Sequence, residues 1–470
     1  MRLSSVLIEN FRAIDRLELP LDRQLNVLVG ENAAGKTSAI EAIAVGLGAI
    51  LSNLPECKGR SFQKNDLRAD FDFDLPMELL FGSDLDEDDS VSEAGTQRKI
   101  FCCGYQPFVR ISLSDASGPT WDRTNRRDKT RQTAKLIPRG VGLAGLHQYL
   151  DPIVDSIQEG GDLCLPIVAY YGTDRAVPDI PQRKRNFRKQ FSRFAALDGA
   201  LEAGFRFKDV FEWFVMQEDL ERRGKEERRD FDFRLPLLEA VRMAVERSLP
   251  GCTNPRTELQ PLRLVVDMET PGGGPERLAL DQLSGGYRVM LALVIDLARR
   301  MAQANPHLGA EAIDACGVVL IDEVDLHLHP RWQQRVLPDL LRTFPNIQFI
   351  VSTHSPQVLT TVLPNQIVLL ERQAAKITAE AVTSSYGAES GRLLQEILGV
   401  DQRPPGEQNE FTAMLNRYAE IVSANRGEED QALELRRRLD EMSPHDPGLI
   451  RLDMEIRRRR VLRRAKEQAE

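Results

Sequence analysis

Residues 27–43 read VLVGENAAGKTSAIEAI. Gly30, Gly35, Lys36 and Thr37 fill a G-x-x-x-x-G-K-[ST] pattern, and the apolar run at residues 25–29 reads as a buried strand emptying straight into it. The glycines permit a tight backbone path in which the N–H groups of Gly30, Glu31, Asn32, Ala33, Ala34 and Gly35 surround phosphate oxygens. Lys36 reaches the β- and γ-phosphates, Thr37 offers its hydroxyl to Mg²⁺, and the helix from Ser38 onward turns its positive end to the same anion. A glycine turn capping an ordinary helix would not need the strand in front of it.

Composition bounds what surrounds this loop. The chain of 470 residues is long enough for two or three domains, and 42% hydrophobic with 28% charged residues is ordinary for a globular protein. A formal net charge of -9 means that any nucleic-acid contact must come from a local basic patch. The six cysteines (Cys57, Cys102, Cys103, Cys164, Cys252, Cys316) include no C-x-x-C pair, which fits a reducing cytoplasm. No signal peptide is evident at the N-terminus, and the longest apolar stretch, residues 289–298, is broken by Asp296, so no membrane partnership is expected.

Three further segments bear on the loop. Residues 317–321 form a β-branched apolar run ending in Asp322 and Glu323, an arrangement in which the first carboxylate holds the metal's water shell and the second acts as general base on the attacking water. Leu283-Ser284-Gly285-Gly286-Tyr287-Arg288 opens a helix with an almost wholly apolar interior. Ser284, Gly285 and Gly286 there could expose backbone donors to an anion, or Ser284 could be a plain N-cap. His354, just past the strand at residues 347–351, sits where open α/β sheets bind ligands, in position to contact a γ-phosphate and water.

The order of loop, LSGG, carboxylate pair and strand-end histidine resembles that of ABC-type ATPases. The resemblance implies an α/β fold: an ABC-type head with a mixed β-sheet lobe, a parallel P-loop core, a helical lid and a C-terminal helical extension. It also implies ATP and Mg²⁺ as cofactors, held in a sandwich in which residues 30–38 of one copy face Ser284, Gly285 and Gly286 of another. A homodimer or a higher even-numbered homo-oligomer follows. Residues 324–330 match the D-loop of such enzymes, which makes His327 and His329 interface residues; as a zinc pair they lack a convincing third ligand. The glutamine loop of such enzymes has no assignable counterpart, Gln63 being one candidate.

The wide spacing between Thr37 and Ser284, with "ENFRAI" at residues 9–14 and "LHLHPRWQ" at 326–333, resembles the RecF/SMC and overcoming-lysogenisation-defect branch, in which Arg12 would lie near the nucleotide. No sustained heptads support long arms, and the helical candidate from Phe207 breaks at residues 230–233, so a compact lid is expected. The resemblance to the overcoming-lysogenisation-defect branch implies a metal-dependent nuclease domain after the ATPase, but Leu369-Leu370-Glu371-Arg372 lacks the glycine-rich acidic start such a domain should show, so the chain is not expected to cut. Residues 170–175, Phe211-Glu212-Trp213-Phe214, Ser385-Tyr386-Gly387-Ala388 and 394–404 are similar to the ATPases of bacterial Septu antiphage systems, PtuA, also found with some retrons. That similarity implies a nearby HNH nuclease, PtuB-like, as partner.

The expected organisation is a first lobe with the loop at 1–50, an insertion at 51–165, a lid with linking strands at 166–275, a second lobe at 276–385, and a partner-docking helical extension at 386–470. The insertion carries an acidic run at 84–89 and a basic stretch with Arg123, Arg126, Arg127, Lys129, Arg131 and Lys135. A second basic run, 183–193, interleaves Phe187, Phe191 and Phe194 at helical intervals and reads as an amphipathic helix. These patches leave a DNA contact open. In the extension, Leu415, Tyr418, Ile421 and Val422 space as one buried face and Leu433, Leu435 and Leu439 as another, predicting a helical hairpin. The arginine run at 457–460 would then dock an acidic partner or DNA, or fray. A DNA-repair ATPase acting directly on DNA, and a nucleotide-dependent scaffold, stand as alternatives to a defence ATPase.

Overall fold

The computed structural model describes residues 1–70, 104–116, 118–176, 191–204, 207–259, 262–270, 273–373 and 376–467. The acidic run at 84–89, Cys102, Cys103, the basic residues at 183–189 and the side chains of Arg463 and Arg464 lie outside the described residues. It divides into a unit spanning Met1–Leu393 and a unit spanning Leu394–Glu470.

The first unit opens with a hairpin of β1 (Leu3–Phe11) and β2 (Ile14–Pro20), then β3 (Leu25–Val29) delivers the chain to the loop and α1 (Lys36–Asn53). Short β4 (Ala69–Asp70) and β5 (Gly104–Tyr105) pair with each other before β6 (Phe108–Asp115) and β7 (Thr120–Arg126). Helices α2 (Arg131–Leu136) and α3 (Ala144–Gln158) lead to β8 (Ile167–Tyr171). Next come α4 (Phe207–Arg228) and α5 (Pro236–Ser248), separated at residues 229–235 as the sequence predicts, which gives a pair of short helices and not a coiled coil. Strands β9 (Cys252–Leu259), β10 (Leu262–Glu269) and β11 (Pro275–Ala279) precede α6 (Gly285–Ala304) and β12 (Gly317–Ile321). After α7 (Pro330–Gln333) and α8 (Val336–Thr343), β13 (Ile347–Ser352), α9 (Pro356–Leu359), β14 (Ile367–Gln373), β15 (Lys376–Ala381) and α10 (Ser390–Glu396) follow.

Two sheets frame the nucleotide loop. One is antiparallel, in the order β2-β1-β6-β7; the other runs β15-β14-β3-β13-β12-β8, parallel except at the β15 edge. Every residue of β3, β8, β12 and β13 is buried, which explains their continuous apolar composition, as expected of parallel strands covered on both faces. The sheet β11-β10-β9 stands apart as a third, antiparallel layer.

Helix α6 is buried from Val289 to Ala304, and this includes Asp296, the residue that breaks its apolar run. The cost of burying that charge is offset by three donors. Arg299 and Arg300 reach it at 2.9 and 2.7 Å, and the Tyr171 hydroxyl donates to it at 3.0 Å. Burial alone would raise the Asp296 pKa, but the two guanidinium groups override it and hold the carboxyl below its ordinary range. Arg300 also donates to the carbonyl of Ala196 (2.7 Å) and Gln303 to that of Ser192 (2.9 Å), so the cluster ties α6 to the 192–198 segment. The amphipathic helix expected over 183–193 lies mostly outside the described residues; just after it the chain forms a 3-10 turn, Phe194–Leu197, with Phe194 buried. Arg193 is consumed by the carbonyls of Ala304, Gly161 and Leu163 and is not available to phosphate.

The second unit holds α11 (Glu410–Ser423), α12 (Asp430–Met442) and α13 (Pro447–Glu467). Three helices stand where the sequence predicts a hairpin, because α13 adds Leu449, Leu452 and Ile456 to the core made by Leu415, Tyr418, Ile421, Val422, Ala432 and Leu439. Leu433 is 56% exposed, against expectation: it lies two residues from Leu435, on the other side of the helix, and Ala432 takes the buried position. The 457–460 run is helical rather than frayed. Arg459 donates to the Val422 carbonyl at 2.7 Å, and Arg460 pairs with Glu428.

Asp296→Ala would leave two buried guanidinium groups without their shared acceptor, and a loss of about 3–5 kcal/mol is expected. The readout is the thermal midpoint of the full chain; an unchanged midpoint would show that the cluster does not hold α6 in place.

Candidate functional site

The parallel register decides what meets at the loop. Ser352 pairs with Leu28 and Ile321 with Val351, so β3, β12 and β13 end together and their following residues share one edge. Gly30, first in the loop, has φ 147°, and a Cβ there would lie 2.3 Å from the Leu370 carbonyl oxygen, so only glycine fits. Gly35 stands at the N-cap of α1 with φ 93°, and Ala33 is also left-handed. The Lys36 side chain folds back over the loop, its Nζ donating to the carbonyls of Gly30 (2.7 Å) and Glu31 (2.8 Å). Glu31, Asn32, Ala33 and Thr37 are exposed, Ser38 is half-buried and Ala34 is buried, so the loop offers its outer surface while Lys36 and Ala34 anchor it.

Asp322 is buried at the end of β12, where its N–H donates to the Tyr171 carbonyl at 2.9 Å. The Ser352 hydroxyl donates to Asp322 Oδ1 and accepts the N–H of Glu323 at 2.8 Å. Glu323 has φ 50°, a conformation that costs a non-glycine residue on the order of 1–3 kcal/mol and that recurs where function fixes the backbone. The Thr353 hydroxyl donates to Asp325 and also accepts the N–H of Ser355 at 3.0 Å, holding the turn that carries His354. His354 lies below the ordinary histidine range, first through burial and next through the Lys36 charge, against the pull of Asp325, Glu323 and Asp322. Burial likewise lowers Lys36, countered by Asp322, Glu323 and Asp325. Loop lysine, carboxylates and histidine therefore lie within one another's electrostatic reach.

Arg12 sits beside this site on a different set of partners. Its Nε donates to Asp66 at 2.9 Å, and Nη1 to Glu41 on α1; Glu41 also accepts from Arg60 at 2.6 Å. Arg60 in turn lies over the Tyr170 ring. The structure thus links Arg12 to α1 one turn past Thr37 and not to the loop itself. Glu41 and Asp66 lie outside every motif the sequence offers, whereas Asp325 and Ser352 fall inside the D-loop and strand-end histidine segments without a role of their own there. Only Glu41 left a signal, four residues beyond Thr37 on one helix face. Gln63 is exposed, and its N–H donates to Asp66 Oδ2 at 2.8 Å.

The LSGG segment lies elsewhere. Ser284 occupies the N-cap of α6, yet its side chain makes no capping hydrogen bond, so capping does not account for it. Ser284, Gly285 and Gly286 line a cavity of about 790 Å³ together with Tyr287, His327, Leu328, His329, Arg331 and Trp332, and no residue of 30–38 lines it. Tyr287 and Trp332 meet edge to face at 4.4 Å, and a Cβ on Gly286 would come within 3.0 Å of the His327 carbonyl. His327 and His329 are exposed on this rim; among the described residues no group of three or more His, Cys, Asp or Glu is placed to hold a metal. In the basic stretch, Arg123 is structural, donating to the carbonyls of Val45 and Arg60, while Arg126, Lys129, Arg131 and Lys135 are exposed.

A phosphate loop, a strand-end carboxylate pair and histidine, and a remote serine-diglycine helix start on this two-sheet frame are the parts of an ABC-type ATPase head, and the chain is similar to nucleotide-binding ATPases of the AAA-related class. Two family profiles match it, "AAA domain" over residues 5–232 and "AAA domain, putative AbiEii toxin, Type IV TA system" over residues 175–360. It is related to retron and Septu ATPases. The Retron Ec83 probable ATPase of Escherichia coli is 26% identical across 98% of this chain and 87% of that protein. The Septu protein PtuA of Bacillus mycoides is 31% identical across 36% of this chain and 23% of that protein. Among solved structures, the SMC head domain from Thermotoga maritima aligns with 82% of this chain and 100% of that one, at 14% identity and TM-score 0.35, a level that carries no inference.

With its folded pKa depressed, His354 is neutral in the native protein where an unfolded histidine would already charge. This linkage favours the native state above pH about 6.5 and weakens as pH falls through that value. An NMR titration of the His354 ring in the full chain should give a midpoint below 6.5; a midpoint above it would remove the histidine from the Lys36 neighbourhood.

Proposed function

We propose that the chain binds and hydrolyses MgATP between two copies of itself, as a homodimer or higher even-numbered homo-oligomer, and that this assembly governs a separate nuclease in antiphage defence. The observation that carries the reading is the separation of the two half-sites: Ser284–Gly286 line a cavity with residues 327–329, Arg331 and Trp332, and no residue of the phosphate loop lines it. A second copy would complete each.

In this reading residues 30–38 cradle the triphosphate and Lys36 exchanges its two carbonyl acceptors for phosphate oxygens. Glu323 is the general base, and His354, neutral, accepts or donates at the γ-phosphate. Thr37 and Asp322 hold Mg²⁺; a hydroxyl and a carboxylate are the hard oxygen donors that ion prefers, with water and phosphate supplying the rest. The ion would neutralise phosphate charge. Arg12, released from Glu41 and Asp66, is within the same region and would turn toward the nucleotide.

The relationship to retron and Septu ATPases supports a defence role, with an HNH nuclease encoded nearby (PtuB-like) doing the cutting while this chain cuts nothing itself. Among the described residues no helix is long and apolar enough to cross a membrane, in keeping with a proposed cytoplasmic site of action. The five-part division expected from the sequence, 1–50, 51–165, 166–275, 276–385 and 386–470, is kept as a functional one, the last part docking the partner. A second reading, direct action on DNA, is favoured by the exposed Arg126, Lys129, Arg131 and Lys135.

Glu323→Gln should trap an ATP-bound dimer with hydrolysis down by roughly 100-fold or more, and Lys36→Ala should prevent ATP binding. Ser284→Arg should bind ATP yet fail to dimerise. Light scattering with and without ATP reads all three, and ATP-driven association retained by Ser284→Arg would end the shared-site reading. Duplex DNA binding by the chain alone, falling steeply with salt, would favour the second reading.

A further inference from the structure

The outer face of α13 carries an apolar stripe flanked by arginines. Its inner face, Leu449, Leu452 and Ile456, is spent on the three-helix core. On the opposite side Ile450, Met454 and Val461 are 43, 63 and 65% exposed, and Arg457 is exposed between the last two. Residues 450, 454, 457 and 461 are spaced four, three and four apart, the seam of a heptad in which 450 and 457 take d and 454 and 461 take a. Arg451 and Arg458 then both fall at e, flanking the seam one heptad apart.

Charge pairing sets these three arginines apart. On α12 and α13, Arg436, Arg437, Arg438, Arg459 and Arg460 each pair with an acid. Arg451, Arg457 and Arg458 pair with none among the described residues. The unpaired cations are those on the apolar seam.

We infer that this face docks an α-helix of a partner protein, one with an apolar heptad seam, acidic residues at the positions opposite Arg451 and Arg458, and an acid facing Arg457. A second copy of α13 does not fit: parallel pairing sets Arg457 against Arg457, and antiparallel pairing brings Arg451 toward Arg458. A lipid surface would force Arg457 into the apolar layer at the middle of the stripe, and a DNA backbone would leave Ile450, Met454 and Val461 uncovered. A fourth helix covers both the apolar and the charged groups. Arg457 at a d position would fix register and partner at some cost in affinity.

The inference rests on the proposed nuclease partnership, and the test separates the two. The full chain is co-expressed with the HNH nuclease encoded beside its gene, and the dissociation constant of the purified pair is measured for wild type, Met454→Glu and the triple variant Arg451→Glu/Arg457→Glu/Arg458→Glu. All substituted side chains are exposed, so thermal melts and ATP hydrolysis should match wild type. Both variants should weaken the complex by about tenfold or more, with lysines substituted for the facing acids of the nuclease helix restoring the triple variant. Equal affinity of wild type and variants would overturn the docking face and leave the partnership standing, whereas a wild-type chain that never holds the nuclease would end both. If the triple variant instead lost only self-association, duplex DNA or anionic vesicles, the occupant named here would be wrong.

Discussion

One hydroxyl group fastens the site together. Ser352 Oγ donates to the Asp322 carboxylate and takes the Glu323 N–H, so the strand beside the phosphate loop dictates where both acids point. Glu323 can be held at φ 50° because this bond and the Val324 N–H to Ser352 carbonyl bond (2.9 Å) clamp the turn from both sides. The clamp exists only if β12 and β13 pair in their observed register, and both strands are buried along their whole length. The apolar content of those strands is thus a positional requirement for the chemistry.

Much of this was legible in the sequence, for a physical reason. Phosphate loops and strand-end acids are local devices in which strand, glycine and charge lie within a few residues of one another, so residues 25–38 and 317–323 announce themselves. Ser352 with Asp322, Arg12 with Glu41 and Asp66, and Tyr171 with Asp296 are joined only by sheet order and lobe packing, which no local pattern encodes. Leu433 illustrates a finer limit. Its neighbour Leu435 has the same hydropathy, and only the rotation between them, with Ala432 as a small competitor, decides which is buried. The basic runs misled in another way, since positive charge in sequence does not tell phosphate binding from carbonyl capping. Arg123 and Arg193 each proved to serve backbone acceptors.

The buried Asp296 cluster connects regions that the sequence reading treated separately. Tyr171 gives its hydroxyl to Asp296 in the middle of α6, and its carbonyl accepts the N–H of Asp322. The helix that begins at Ser284 and the strand end that carries the acids therefore lean on the same tyrosine. Tyr171 is thus the residue that bonds both the middle of α6 and the backbone of Asp322.

The way Lys36 is housed has a kinetic meaning. With its ammonium already gripped by two carbonyls of its own loop, the arch is braced from within, so in the proposed function triphosphate arrival would be an exchange of acceptors for Lys36. Under the proposed shared site, such a template would need no rearrangement between turnovers, which would leave the slow event to the meeting and parting of subunits.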